Sequence, residues 1–365
     1  MKKVHNFTAG PCALPQQAID NAIEALKDFK GTGVPVISIS HRTKEWESVM
    51  DECRALWKEL LHIPEDYEVL FLGGGASMGF LYVAMNFLEN KAGYLETGVW
   101  AKKALKEAKG LGNAYAVASS AETVYNYIPK NYEIPADLDY LHITSNNTIY
   151  GTEIHEDFDC PGPLIADRSS DIMSRPVDVS KYAMIYGGAQ KNVGPAGVAF
   201  YIVKKDMLGK VSRYIPTMLN LKTHLDGQSM FNTPPVFAIY VMNETLRWLK
   251  EQGGVEEIQK IIQQFPNLKG VSLGRGLLSN PFLACEFKEE ASKELREKME
   301  ICRNFHDSLF ANYAATLQGD AHLLMKMKTF WEYFLPEADR KLLKAIKKAN
   351  KLQQYTEAVR KIWTI

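Results

Sequence analysis

The residue whose chemistry stands out is Lys191. It lies in Ala189-Gln190-Lys191-Asn192, directly after the apolar run Ala183 to Gly187 and before Val193-Gly194-Pro195-Ala196-Gly197. Lysine is rarely buried without a partner, and desolvation lowers an amine's pKa and makes it nucleophilic. An amine so placed can hold a carbonyl cofactor as a Schiff base. Asp167 closes a second apolar run, Leu164-Ile165-Ala166, just before Arg168-Ser169-Ser170. A carboxylate there can pair with a protonated pyridine nitrogen, the feature that makes pyridoxal phosphate an electron sink. Gly74-Gly75-Ala76-Ser77 offers backbone N–H groups and a helix N-terminus to a phosphate. Trp100, after Thr97-Gly98-Val99, presents a ring face for stacking. Each also has a plainer reading: a solvated loop lysine, a helix N-cap aspartate, tight-turn glycines and a core tryptophan. What favours the chemical reading is chain order. Phosphate turn, aromatic, acid and lysine follow one another as one cofactor laid across the strand ends of a single sheet requires.

The elements that would position these residues are legible. Pro15 opens a helix in which Ala18, Ile19, Ala22, Ile23, Leu26 and Phe29 form a stripe at helical spacing, ended by Gly31. Val69 to Leu72 is a short apolar strand, and a helical run starts at Met78. Leu138 to Thr144, Pro163 to Asp167, Ala183 to Gly187 and Val198 to Val203 are further strand candidates. Near-continuous apolar strands separated by helices predict a mostly parallel sheet covered on both faces. After Gly253-Gly254 the character changes. Gly270-Val271-Ser272-Leu273 is the last strand-like segment, and from about Ala291 the pattern is helical. Residues 321–365 hold ten Lys/Arg against four Asp/Glu, which places a boundary near 255–265.

Composition bounds the remaining options. A chain of 365 residues, 46% hydrophobic and 24% charged, fits two globular domains rather than a disordered or fibrous protein. Lys+Arg 43 balances Asp+Glu 43, so no global basic field points to nucleic acid. The apolar runs fall far short of the roughly 20 residues of a membrane helix, so no membrane partner is expected. Met1 to Thr8 lacks the apolar stretch of a secretion signal. Cys12, Cys53, Cys160, Cys285 and Cys302 are odd in number and form no CxxC. That argues against a disulfide framework and a zinc site, and a cytoplasmic location is expected.

Residues 4 to about 257 closely resemble the phosphoserine aminotransferase family of fold-type I pyridoxal phosphate enzymes. The stretches that carry the resemblance are Asn6 to Pro11, Ile39-Ser40-His41-Arg42, Gly73 to Ser77, Thr97 to Trp100, Thr144 to Ile149, Ala166 to Ile172, Gly188 to Asn192 and Phe231-Asn232-Thr233-Pro234-Pro235. The resemblance implies Lys191 as Schiff-base lysine and proton shuttle and Asp167 as pyridinium partner. It implies Trp100 stacked on the ring, Thr148 near the ring hydroxyl, and Ala76, Ser77 and Gln190 on the phosphate. Asn232 and Thr233 would reach across from a second subunit, and His41 and Arg42 would meet the substrate phosphate across the same homodimer interface. The implied reaction is amino transfer between L-glutamate and 3-phosphohydroxypyruvate, giving O-phospho-L-serine and 2-oxoglutarate in serine biosynthesis.

Beyond Gly254 the resemblance changes partner. The family's segment reading like GHRxVGGxRAS, which carries an arginine for the substrate carboxylate, has no counterpart from Glu256 to Ile365. Losing such an anchor costs about 2–5 kcal/mol of binding, so turnover with phosphoserine is expected to be impaired. Instead Phe265 to Val271, Gly274 to Pro281 and Lys326 to Tyr333 resemble the C-terminal end of bacterial tRNA-dihydrouridine synthases. There a Gly-Arg-Gly loop contributes to an FMN phosphate site and the following helices cradle tRNA. The barrel that would carry the flavin and the catalytic cysteine is absent, which argues against dihydrouridine synthesis. Trp331, Tyr333 and Phe334 among lysines could meet RNA, but the reading as a helical core with a solvated basic face is favoured. The expectation is an α/β aminotransferase large domain at 1–257, a barrel-end remnant and linker at 258–284, and a helical domain at 285–365. The alternative is a chimeric protein that binds pyridoxal phosphate without turnover, with a tail of tRNA-binding ancestry.

Overall fold

A computed structural model describes residues 8–263, 295–331, 334–335 and 338–363. Asn6 and Phe7, the stretches from Phe265 and Gly274, Cys285, Tyr333 and most of the expected linker lie outside the described residues. The chain divides into two compact units, residues 1–266 and residues 267–365.

The first unit is built on a seven-stranded sheet of order β1-β9-β8-β7-β4-β2-β3. Its strands are β1 Tyr67–Leu72, β2 Lys91–Glu96, β3 Asn113–Ser119, β4 Tyr140–Thr144, β7 Leu164–Asp167, β8 Met184–Gly188 and β9 Ala199–Lys204. Two short strands, β5 Asn146–Asn147 and β6 Thr152–Glu153, pair antiparallel outside it. β9 runs against both β8 and β1, while the β2–β3, β2–β4, β4–β7 and β7–β8 pairings are parallel. The sheet is therefore mostly parallel, as its apolar strands require. β2 and β3 fall where the sequence reading placed no strand. Lys-Ala-Gly-Tyr-Leu-Glu has no β-branched residue and Asn-Ala-Tyr-Ala-Val-Ala-Ser has one beside three alanines, and they are strands because buried neighbours pair with them.

Strand alternation feeds two cores. Leu141, Ile143, Leu164 and Ala166 point to the face covered by α1 (Gln16–Lys27), α2 (Lys44–Leu60) and α6 (Val236–Glu251), where Trp46, Trp57, Met50 and Leu246 are buried. Tyr140, Ile165, Tyr186 and Tyr201 point to the other face, beneath α3 (Gly75–Phe87), α4 (Val99–Leu111) and α5 (Leu221–Asp226). The Thr43 side chain caps α2 by accepting from Trp46 N at 3.4 Å. Helix α7 (Gly254–Gln263) closes the described part of this unit.

The buried face of α1 corrects the sequence reading. Ala18, Ala22 and Ala25 are buried, whereas Ile19, Ile23 and Leu26 are exposed. The stripe is real, but it is rotated. The alanines let α1 lie close against α6, tied there by Asn21 Nδ2 donating to Glu244 Oε2 at 2.7 Å, and the bulkier residues turn outward.

The second unit comprises α8 (Leu295–Thr316), α9 (Asp320–Phe330), α10 (Arg340–Lys348) and α11 (Leu352–Ile362). Trp331, Phe334, Met327, Ile346, Tyr355 and Ile362 form its core. The Tyr355 hydroxyl accepts from Trp331 Nε1 and bonds His306 Nε2, each at 2.8 Å. The Trp331 and Phe334 rings are thus interior, while Lys341, Lys344, Lys347 and Lys348 face solvent. Among the described residues no helix is long and apolar enough to cross a membrane.

Candidate active site

Parallel strands end together, and the chain turns there place polar groups side by side. β8 ends at Gly188, and the short 3-10 turn Ala189–Lys191 carries the lysine over the strand ends. β7 ends one strand away at Asp167, which is in register with Thr144 of β4 and Tyr186 of β8. α3 begins just after β1, with Gly74 in the left-handed region at φ 94°, a conformation that glycine adopts without steric cost. The N–H groups of Gly75, Ala76 and Ser77 occupy the first helical turn, where no intrahelical acceptor exists. Trp100 sits in the first turn of α4.

These elements enclose a cavity of about 170 Å³ lined by Gly74 to Ser77, Phe80, Trp100, Thr144, Asn146, Asp167, Ser169, Ser170, Gln190 and Lys191. Lys191 Nζ donates to Ser170 Oγ at 2.7 Å and to Thr148 Oγ1 at 2.9 Å, and the two hydroxyls lie 2.6 Å apart. The amine is 6.0 Å from the Trp100 ring centroid, and Lys103 Nζ lies 4.4 Å from the same centroid, within cation–π range. The N-terminal segment bears on the lysine: Cys12 N donates to Gln190 O at 2.9 Å, and a Cβ on Gly10 would meet Lys191 Cγ at 3.0 Å.

The electrostatics follow from burial. Desolvation pushes the Lys191 ammonium below the ordinary lysine range, and the charges of Asp167, Cys12 and Asp171 pull it partly back. Desolvation pushes the Asp167 carboxyl up, opposed by hydrogen bonds from Ser169 and the charge of Lys191. Asp167 Oδ1 accepts from Ser169 N at 3.0 Å and Ser169 Oγ at 2.6 Å. Oδ2 receives no hydrogen bond from the described residues and remains available toward the cavity.

Of the residues singled out in the sequence, Ala76, Ser77, Trp100, Asp167, Gln190 and Lys191 meet in this cavity, and Thr148 joins it through Lys191. Asn232 and Thr233 do not. They line a second cavity of about 260 Å³ with Met78, Tyr82, Met218 and His224. Neither cavity wall includes His41 or Arg42. The sequence reading missed Ser169, Ser170 and Thr144 as site residues. An Asp with Ser two positions on, at a strand end, is the signature of a side-chain turn and could have flagged Ser169.

The residues fit pyridoxal phosphate on four counts. A nucleophilic amine, a buried acid with one open oxygen, a free helix N-terminus and an aromatic face line one cavity. Thr144 Oγ1, also in the wall, is buried without a hydrogen-bond partner among the described residues, and buried hydroxyls normally have one.

The family profile described as aminotransferase class-V matches residues 4–275. The phosphoserine aminotransferase of Phocaeicola vulgatus is 65% identical over 260 residues, covering 71% of this chain and 73% of that protein. That of Bacteroides thetaiotaomicron is 58% identical over 302 residues, covering 83% and 82%. Among solved structures, phosphoserine aminotransferase from Bacillus circulans superposes with TM-score 0.70 at 42% identity, covering 72% of this chain and 74% of that one. The PLP-bound enzyme from Trichomonas vaginalis gives TM-score 0.69 at 34% identity, covering 72% and 79%.

Proposed function

The chain belongs to the phosphoserine aminotransferase family within the class-V aminotransferases, and from that premise we infer that it exchanges an amino group between L-glutamate and 3-phosphohydroxypyruvate. The products are O-phospho-L-serine and 2-oxoglutarate, and the cofactor is pyridoxal 5'-phosphate. The observation that carries this reading is the convergence of Lys191, Asp167, Trp100 and the α3 N-terminus on one cavity.

A bound cofactor would supply a protonated ring that serves as an electron sink for amino-group chemistry. The chain's own residues do the rest. Lys191 holds the cofactor through its amine and, once released, carries the proton. Asp167 Oδ2 keeps a proton on the ring nitrogen, the role for which its other oxygen is pinned. The N–H groups of Ala76 and Ser77, with Gln190, take the phosphate. Trp100 would cover a ring face, and Thr148 would meet the ring hydroxyl.

We extend the reading to a homodimer with shared sites. Asn232 and Thr233 are exposed and line a cavity apart from Lys191, and His41 Nε2 is buried without a hydrogen-bond partner among the described residues. Ile37, Met218 and Phe231 add apolar surface at 63%, 41% and 51% exposure, which suits an interface. In such a dimer Asn232 and Thr233 serve the neighbour's cofactor, and His41 and Arg42 its substrate phosphate. A cytoplasmic location goes with this reading.

The second unit we read as a packing module of the kind that ends dihydrouridine synthases, not as an RNA-binding surface. Base stacking needs exposed rings, and Trp331 and Phe334 are interior. Salt-sensitive tRNA binding lost on deleting residues 285–365 would overturn that reading.

The function is tested by incubating the loaded chain with O-phosphoserine and 2-oxoglutarate and measuring glutamate. Production that Lys191→Ala abolishes supports the reading; none at any substrate concentration from a chain that retains its cofactor contradicts it.

A further inference from the structure

We propose that Ser170 is a positioning residue: its hydroxyl holds the Lys191 amine in the cavity whenever that amine is free of the cofactor, and keeps it where it can carry the substrate's α-proton. The proposal rests on the reading of Lys191 as the cofactor-bearing lysine.

The geometry is specific. Ser170 Oγ is the nearer of the two acceptors of Lys191 Nζ, at 2.7 Å against 2.9 Å for Thr148 Oγ1. A neutral amine has two hydrogens and one lone pair. With one N–H given to each hydroxyl, the remaining tetrahedral position is left for the lone pair, which is what a base must present. A long lysine side chain otherwise samples many rotamers, and proton transfer needs the donor and acceptor within hydrogen-bond reach. Thr148 has a competing duty toward the ring hydroxyl in the reading above. Ser170 Oγ bonds only Thr148 Oγ1 besides the amine, among the described residues, and has no duty toward the ring, so it is the acceptor that remains for the released amine.

Ser170 is itself held in place. Asp167 anchors the segment at the end of β7, and Ser169 ties back to it through two hydrogen bonds. On the other side Arg168, buried at 1% exposure, pairs with Asp171 at 2.5 Å, and Ser145 Oγ donates to the same carboxylate at 2.5 Å. Ile172 N donates to Arg168 O at 3.0 Å. The residues on both sides of Ser170, Asp167 to Ser169 and Asp171 with Ile172, are thus held, and the Ser170 hydroxyl is presented to the amine from a rigid turn. Rigid support of this kind is what distinguishes a positioned acceptor from a passing one.

The test uses the full chain in two forms. In the cofactor-free form, the rate at which an acylating reagent labels Lys191 is followed by peptide mass spectrometry from pH 6 to 11. Ser170→Ala removes the acceptor that favours the ammonium, so the labelling midpoint moves down by about half a pH unit or more. In the loaded form, exchange of the O-phosphoserine α-proton with solvent slows roughly ten-fold in this variant, with half-saturation changed less than about two-fold. Ser170→Thr, which keeps the hydroxyl, leaves both as in the unsubstituted chain. An unchanged midpoint or an unchanged exchange rate in Ser170→Ala overturns the proposal. Failure of the underlying reading shows separately, because borohydride would then leave no cofactor on Lys191 of the unsubstituted chain.

Discussion

Ser169 holds Asp167 by one oxygen and leaves the other open: its N–H and its hydroxyl both donate to Oδ1, at 3.0 and 2.6 Å. The hydroxyl in turn accepts from Gly188 N at 3.0 Å, so the acid is tied to the neighbouring strand. A hydrogen bond to a charged group contributes about 1.5–3 kcal/mol. Ser169→Ala is therefore expected to weaken cofactor binding about ten-fold or more, measured by titration of the visible absorption band. Asp167→Asn keeps the shape and loses the charge, and the half-reaction with phosphoserine should fall at least about 100-fold.

Gly187 makes that arrangement sterically feasible. A Cβ there would lie 2.8 Å from the Ser169 N and Cα atoms and 2.7 Å from the Phe200 ring, distances no packed interior accommodates. Because part of the obstacle is backbone, Gly187→Ala must displace the turn that carries Asp167. The variant should lose about 1–3 kcal/mol of stability in urea unfolding and should bind the cofactor more weakly. Full stability with unaltered affinity would mean that the two strands separate more readily than this packing implies.

The sheet and its chemical end were legible because both depend on local pattern. Apolar runs gave five of the strands, and the turn residues after them gave Lys191, Asp167 and the glycines before Ser77. What escaped was set by neighbours in space. β2 and β3 are strands through pairing, not propensity. Ala18 and Ala22, not Ile19 and Ile23, face the interior of α1 because the closeness of α6 selects small residues. Ser170 carries no local signal: its value lies in a contact with Lys191, 21 residues away in the chain. Asn232 and Thr233 entered by family likeness alone, since nothing in their own segment points to a cofactor, and they line a cavity apart from Lys191.

Lys191 sets a pH dependence. Only the neutral amine attacks a carbonyl, and burial lowers its pKa. Attachment of the cofactor to the cofactor-free chain should accelerate with pH through a midpoint below the ordinary lysine value of about 10.4. The charge of Asp167 holds the ammonium up, so Asp167→Asn should move that midpoint further down. Stopped-flow absorbance across pH 6 to 11 reads both, and a midpoint that rises in the variant would contradict the assignment of charges.

His142 contributes to the acid sensitivity of the fold. It is fully buried, bonds Tyr186 Oη through Nε2 at 2.8 Å and stacks on Tyr94 at 4.8 Å between centroids. Burial pushes its pKa down to about 3, below the value of about 6.5 for an unfolded histidine. A depressed folded pKa means that its contribution is complete above pH 6.5 and is lost as pH falls toward 3. The loss approaches about 1.4 kcal/mol per pH unit in that window. Urea unfolding at pH 7, 6 and 5 should therefore show a shallower pH dependence for His142→Gln than for the unsubstituted chain. Equal slopes would show that His142 is solvated in the folded state.

The central claim is that Lys191 bears the cofactor and that the surrounding side chains let an amino group pass to it. The direct test is to load the purified chain with pyridoxal phosphate, add O-phosphoserine without any keto acid, and follow the absorption spectrum. The visible band of the lysine-bound cofactor should give way to the near-ultraviolet band of its aminated form at high substrate concentrations, and Lys191→Ala should abolish the change. A visible band that persists unchanged in saturating phosphoserine would contradict it.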